Sequence, residues 1–501
     1  MNPPATTLAA ARPAASRHPL APLFQVGTVR LRCAQVLQSV ERNLSGSFRL
    51  DRAALALLGR RVVEQLAAGA PVQTAPFWQA LQAGGVDRMG ELDQLLSGLT
   101  PAEQTRAWTD LAMLGVLLCA DPGPRWRYTE QQALPTAAFA QAAPDELLAL
   151  LDRAGKTGLP ATPGATPPGA TTVATPAAAP PADDPPTPAT SGGATAATFG
   201  NCEGLAIAIF RAFVAGAFSA DKKAHPCRVE AATLRHVDVA ALRAMLQGTP
   251  QNAIQGLEGR ATVLSRLAQL LQALPDAGGA AARPCDWVRS LALPGQAGLE
   301  LTAQAGQLVS APALLSGLLR NGAALWPNAP VQGLPAGDVW LHRWAGDAVA
   351  AAADAADPAA AASDLGTGGW VPLHAQGQAL VAALALPLLR AGLQLNGLEF
   401  LTASAGPTTS ALLLAAGVIV PRQARLLSQG LKLGDEAAIE CRALTVALFE
   451  ELTLQVRAAL QAAHRPDADR LPVAAVVTAT MAVWAGGGAP QLQIAGDGAL
   501  F

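Results

Sequence analysis

The chain lacks an excess of charge of either sign: Lys and Arg total 35 against 37 Asp and Glu in 501 residues. No net field recruits a polyanion, so a nucleic-acid partner loses its main sequence argument. Long hydrophobic runs are missing as well. The longest, such as Ala379–Leu389 and Ala411–Val420, stop well short of the ~18–20 uncharged residues that cross a bilayer, and no membrane partner is expected. The Ala/Pro-rich stretch from Met1 to Ala21 carries Arg12, Arg17 and His18 but no uninterrupted apolar segment of a secretory signal, and it reads as a disordered leader. Six scattered cysteines form no CxxC pair. That spacing excludes a zinc knuckle or a small disulfide framework and fits reduced thiols in a cytoplasmic protein. There is no GxxxxGK[ST], no GxGxxG opening a helix after a strand, no HExxH and no GxSxG. The common cofactor and metal classes drop out with them.

What is present is apolar and rich in alanine. Hydrophobic residues make up 51% of the chain and charged residues 14%, which excludes wholesale disorder. Alanine buries little surface, so packing must rest on Leu, Val, Ile, Phe and nine Trp. Apolar residues recur at three and four from Val29 to Leu66 and from Glu91 to Cys119, which predicts core-facing helices. Further helices are expected from Glu203 through Phe218, over Ala261–Leu274, Ser310–Leu325 and Gln376–Gly392, and over Glu440–Ala463. Pro387 should kink or end the fourth of these. Ala348–Ala362 has no large residue to anchor it and reads as an exposed excursion. Leu492 and Ile494 before Gly496-Asp497-Gly498 suggest a strand and a turn. The segment 158–197 holds ten prolines between Pro160 and Pro188 and almost no large side chains, which makes it a flexible linker insertion. The expected architecture is mainly α (α+β): a leader at 1–21, a helical part at 22–157, the linker, and a mostly helical part at 198–501. The two helical parts are expected to pack as one unit.

Ionisable residues in apolar or glycine-rich settings are the candidates for chemistry, because burying a charge is costly unless it is paired or used. Glu203, in Cys202-Glu203-Gly204, opens a hydrophobic helix, where its charge is favoured with or without a function. Glu258 and Arg260 stand between glycines that allow close backbone approach, as an ion pair or as ligand contacts. Asp338 and His342 are four apart, on one face if helical, with Trp340 between them to stack on a planar or sugar-like group. A buried Trp beside a solvated Asp is the plainer alternative. His374 follows an apolar trio and suits a satisfied core imidazole equally well. Glu440 and Arg442 flank Cys441, and on an extended segment they would share one side as a clamp.

These residues lie in blocks that resemble the uracil-catabolism (Urc/Urg-type) family of uncharacterised proteins. The blocks are VRLRC at Val29–Cys33, GGVDR at Gly84–Arg88, RWRYTE at Arg125–Glu130, EGLAIA at Glu203–Ala208, GAFSAD at Gly216–Asp221 and NAIQGLEGRA at Asn252–Ala261. They continue with GDVWLH at Gly337–His342, VPLH at Val371–His374, ECRALTVAL at Glu440–Leu448 and GDGALF at Gly496–Phe501. The chain also departs from its relatives. Their HSRWRHF is here Ala75-Pro76-Phe77-Trp78-Gln79-Ala80-Leu81, keeping only the Trp. Their LTGLPEYRNGG is here Leu401–Ala411, and the Asp that follows it is Ala415. Their LLDAGAG is Leu117–Gly123, and their RSEG is Asn201–Gly204.

The resemblance implies a role in uracil breakdown after the pyrimidine has become a nucleotide and its ring has opened. It points to hydrolysis of the N-glycosidic bond of a ribosylurea-type nucleotide or sugar-phosphate, with no metal or organic cofactor. An oxocarbenium-like transition state needs one carboxylate to stabilise positive charge and another group to handle water. On this reading Asp338 and Glu203 are catalytic, while Glu258, Arg260, Trp340, His342, His374, Glu440 and Arg442 bind substrate. The alternative is a non-catalytic divergent paralogue acting as a scaffold or regulator, which the lost His/Arg cluster favours.

Overall fold

A computed structural model describes residues 18–68, 75–131, 196–275, 278–291, 306–326, 328–346, 368–484, 492–494 and 497–500, with Leu293 and Leu299. Among these residues the fold is mainly α, as expected: fifteen α-helices accompany eight short strands in four two-stranded sheets. Most of the proline-rich segment and all of Ala348–Ala362 lie outside the described residues. Ala196 and Ala197, assigned to the linker, instead begin a strand. The structured chain also starts earlier than the leader boundary, since Leu20 is buried.

The helices build two apolar cores. In the first, the Pro101–Leu118 helix packs along the Ala375–Arg390 helix, and the Asn201–Val214, Leu257–Gln272 and Ala311–Gly322 helices surround them. Pro101–Leu118 is capped by the Thr100 hydroxyl, which accepts the Glu103 N–H, and it has proline at its first position. From Ala107 onward every residue of that helix is buried, the pattern of a central helix rather than an amphipathic one. The second core joins Val26–Glu41 to the long Glu436–Ala462 helix, with Arg52–Ala67, Pro407–Ala415 and Val473–Val483 around it.

Pro387 does not end its helix, which continues to Arg390. Proline has no N–H to give the carbonyl four residues earlier, so the Ala383 oxygen loses its helical donor. The Trp78 indole fills that place, its Nε1–H donating to Ala383 O at 2.8 Å. This accounts for the one Trp retained in Ala75–Leu81: Phe77 and Trp78 there are buried core residues.

The strands tie distant segments together. β1 (Phe48–Leu50) pairs antiparallel with β8 (Ile419–Pro421), and β2 (Arg127–Gln131) with β3 (Ala196–Gly200). β4 (Gln307–Ser310) runs parallel to β7 (Leu393–Asn396). β5 (Val339–Leu341) pairs antiparallel with β6 (Trp370–Pro372), Trp340 opposite Val371. Trp340 packs against both cores, so β5 and β6 lie at the seam between them. In the tail, Ile494 makes only an isolated bridge to Leu431, and Asp497 forms the expected turn by accepting the Ala499 and Leu500 N–H groups. No helix of the described residues is long and apolar enough to cross a membrane.

Candidate functional site

Asp338 and His342 flank a strand, not a helix. A strand's period of two also puts residues 338, 340 and 342 on one side, so the expected juxtaposition arises from different geometry. The Trp340 indole, rather than being free to stack on a ligand, donates to Asp338 Oδ1 at 2.7 Å. Asp338 Oδ2 accepts from Arg442 Nη2 at 2.7 Å and from the Ala375 N–H at 3.0 Å. The backbone carbonyl of Asp338 accepts the Leu373 N–H at 2.9 Å. Arg442 also donates through Nε to Ala405 O at 3.1 Å. Both charged side chains are almost wholly buried. Burial alone would push the Asp338 carboxyl up. The Arg442 guanidinium and the hydrogen bonds from Arg442, Ala375 and Trp340 outweigh it and hold the group below the ordinary carboxylate range.

Glu440 and Arg442 do not share a side. Both lie inside the Glu436–Ala462 helix, where positions two apart are turned by about 200°. Arg442 therefore meets Asp338, while Glu440 faces Ser45 and His342. Ser45 Oγ donates to Glu440 Oε1, and Glu440 Oε2 lies 3.9 Å from His342 Nε2. Glu436, one turn earlier, places Oε1 4.0 Å from the same nitrogen and pairs with the exposed Arg343. Burial pushes the Glu440 carboxyl up to about 7, against the lowering effect of the Ser45 hydroxyl and with a further push from Glu436. Burial also depresses the His342 imidazole.

His374 caps the Ala375–Arg390 helix in a left-handed conformation (φ +47°), a strained geometry for a non-glycine residue. Its Nε2 is 2.9 Å from Leu23 O, which fixes the proton on Nε2 and leaves Nδ1 as an acceptor. Among the described residues neither His374 Nδ1 nor His342 Nε2 has a hydrogen-bond partner, although both are buried. Asp338, Trp340, His374 and Arg442 thus form one polar group at the seam, and His342 and Glu440, with Ser45 and Glu436, form a second.

The other candidates lie in the first core. Arg260 is buried and donates to three carbonyls: Nε to Leu118 O at 2.9 Å, Nη1 to Gln255 O at 2.5 Å and Nη2 to Ala120 O at 2.5 Å. Burial pulls its pKa down to about 10. It closes the end of the Pro101–Leu118 helix and forms no ion pair with Glu258, which is exposed. The glycines around this pair serve the chain's own tail: a Cβ on Gly259 would meet Asp497 O, and one on Gly498 would meet Gly256 O. Glu203 is exposed in the first turn of the Asn201–Val214 helix. Burial raises its carboxyl, with Arg88 opposing, and no hydrogen bond joins it to the seam.

Ser45 and Glu436 were not singled out by sequence. Glu436 carries a legible signal, since it is one helical turn before Glu440. Ser45 sits in a polar turn, and nothing local marks it. No group of three or more His, Cys, Asp or Glu among the described residues is arranged to hold a metal.

A two-core helical fold with charged side chains sealed along its seam defines the class of protein, and comparison with known families places it. The chain matches, over residues 22–140 and 190–494, the family described as "Protein of unknown function (DUF1688)", and it belongs to that family. It is similar to "Protein urg3" of Schizosaccharomyces pombe (strain 972 / ATCC 24843), 24% identical over 280 residues, which is 54% of this chain and 52% of the relative. The chain thus spans about half the length of the curated relative it matches. Both findings support the Urg-type resemblance carried by the sequence blocks.

Proposed function

We propose that this protein acts in uracil breakdown by hydrolysing the N-glycosidic bond of a ring-opened, ribosylurea-type nucleotide at the seam between its two cores. One observation carries the reading: a fixed negative charge on Asp338 stands beside His374, and His342 follows at the other end of the same strand, two buried imidazoles that each keep a ring nitrogen unpartnered. Such a fixed charge favours a developing oxocarbenium ion, and the open nitrogens are groups a polar substrate would engage. Arg442 then acts through Asp338 as a positioning residue. Glu203, Glu258 and Arg260 lie in the first core, and their proposed roles require substrate to reach it.

The direct test is urea release from ribosylurea and its 5′-phosphate by the purified protein. Production of urea above the uncatalysed rate supports the reading. The rival, a non-catalytic scaffold or regulator, is favoured by a specific observation: both Asp338 carboxylate oxygens already accept hydrogen bonds from the protein itself. Absence of urea release, together with unchanged binding of either compound on mutation of the seam, is the result this second reading expects.

A further inference from the structure

Glu440 and His342 face each other across a gap that neither closes. Ser45 Oγ accepts the N–H groups of Ser47 and Phe48, both at 3.0 Å, which turns its hydroxyl hydrogen toward Glu440 Oε1. Oε1 is thereby the acceptor oxygen, and a proton on this carboxyl sits on Oε2, toward the imidazole. His342 Nδ1 accepts the Trp344 N–H at 3.3 Å, so the neutral ring carries its hydrogen on Nε2. Two donors therefore point into the 3.9 Å between Oε2 and Nε2. An acceptor atom placed beside that gap lies within hydrogen-bond reach of both.

We propose that Glu440 is the proton donor of the seam and that, with His342 Nε2–H, it receives a ureido oxygen of the substrate. The inference rests on the hydrolase reading above and assigns its acid. In the step, the bond between the anomeric carbon and the ureido nitrogen breaks and its electron pair leaves with the ureido group. That group takes the Glu440 proton, and urea departs. Water adds to the anomeric carbon, and its surplus proton restores Glu440. Ser45 and His342 hold the two ends of the acid, and Glu436, half-exposed and paired with Arg343, connects it to solvent.

The electrostatics agree. Burial raises Glu440 to about 7 against the Ser45 hydrogen bond, with Glu436 adding to the rise and Arg422 and Arg343 opposing it, while burial lowers the His342 imidazole.

The test uses urea as the probe, titrated at millimolar concentration into the full chain labelled with 15N-histidine, from pH 5.5 to 8.5. Urea is expected to shift the His342 Nε2 resonance, with an affinity that falls about tenfold per pH unit above 7 as Glu440 loses its proton. Glu440→Gln keeps a donor and loses the ionisation, so its urea affinity should not vary with pH. Ser45→Ala removes a bond that lowers the acid and should move the fall to higher pH, a second reading if Glu440→Gln does not fold. A His342 signal unmoved by urea, or wild-type affinity independent of pH, overturns the proposal even if turnover is found. Urea binding with this pH dependence but no urea release from either ribosylurea compound upholds the site and overturns the hydrolase reading. Where turnover is found, Glu440→Gln should lower kcat by ~100-fold or more with KM little changed.

Discussion

Replacing Asp338 by Asn preserves shape and removes one charge, which makes it the sharpest probe of the seam. The buried Arg442 guanidinium then faces an amide in place of the Asp338 carboxylate. Breaking a buried pair from one side costs about 3–5 kcal/mol, because the remaining cation stays desolvated. A second loss follows from hydrogen-bond counting. Asp338 accepts from Trp340 on one oxygen and from Arg442 and Ala375 on the other, whereas Asn has a single acceptor oxygen. Whichever way the amide turns, its NH2 faces a donor, at a cost of roughly 1 kcal/mol more. Denaturant unfolding at pH 7 should therefore show Asp338→Asn destabilised by about 4 kcal/mol or more. Replacing both partners, Asp338→Leu with Arg442→Met, should cost less than the sum of the single changes, since no charge is stranded. The pH dependence has a fixed sign. Because the folded carboxyl is held below its unfolded value, its contribution is complete above the unfolded pKa and is lost as pH falls through the folded one. The gap between wild type and Asp338→Asn should thus narrow in acid. An Asp338→Asn protein as stable as wild type at pH 7, or a gap that persists unchanged into acid, refutes the reasoning.

Trp78→Phe should cost about 1–3 kcal/mol, because the Ala383 carbonyl freed by Pro387 then has no indole donor, and a chemical melt equal to wild type would remove that account. Glu440 gives the opposite pH sign to Asp338. Its folded carboxyl, near 7, lies above its unfolded value, so its contribution is present at low pH and is lost as pH rises toward 7, by about 3 kcal/mol relative to Glu440→Gln. Parallel stability curves for wild type and Glu440→Gln between pH 4.5 and 7 would contradict it. We propose that the parts flanking the proline-rich segment fold as one unit, so Arg30–Lys156 expressed alone should not melt cooperatively, and a soluble fragment with a sharp transition would count against it.

The helices were legible because their signal is local. Spacing at three and four placed the Glu436–Ala462 helix within a few residues, and found the end of the Pro101–Leu118 helix while running it together with the Arg88–Leu96 helix before it. Pairing of elements was not, since nothing in Val26–Glu41 specifies a helix some 400 residues away as its partner. At the site the sequence singled out Asp338, His342, Glu440 and Arg442 from the oddity of charge in apolar surroundings. It did not establish how they meet, for two reasons. Positions four apart share a face in strand and helix alike, so the spacing of Asp338 and His342 does not decide between the two. Positions two apart share a face only in a strand, so Glu440 and Arg442 were joined where the helix separates them. The glycines beside Arg260 suit an ion pair or a ligand contact on sequence alone, whereas in the fold they admit the chain's own Asp497–Gly498 turn.

Glu440 differs from Asp338 in the kind of partner it has. The buried carboxylate of Glu130 is gripped by Arg88 and Arg211, and Glu103 by Arg106 and Arg283. In each case desolvation pushes the carboxyl up and the guanidinium groups overcome it, leaving the acid below its usual range. Burial outweighs the guanidinium at Asp110 beside Arg283 and at Glu450 beside Arg30, and both of those carboxyls are raised, whereas Asp338 behaves with Arg442 as Glu130 and Glu103 do. An acid held in that way keeps its charge at every physiological pH; it can fix geometry or field, but it has no proton to give. Glu440 is buried to a similar degree, yet what bonds to it is a serine hydroxyl and what faces it is an imidazole that burial keeps neutral. Desolvation then prevails, and the carboxyl sits near 7, where gaining and losing a proton cost about the same. The seam therefore holds two acids of opposite character on adjacent elements, one locked in its charge by Arg442 and one free to exchange a proton. On the proposed hydrolase reading, separated titrations of this kind give Asp338 the electrostatic role and Glu440 the proton-transfer role.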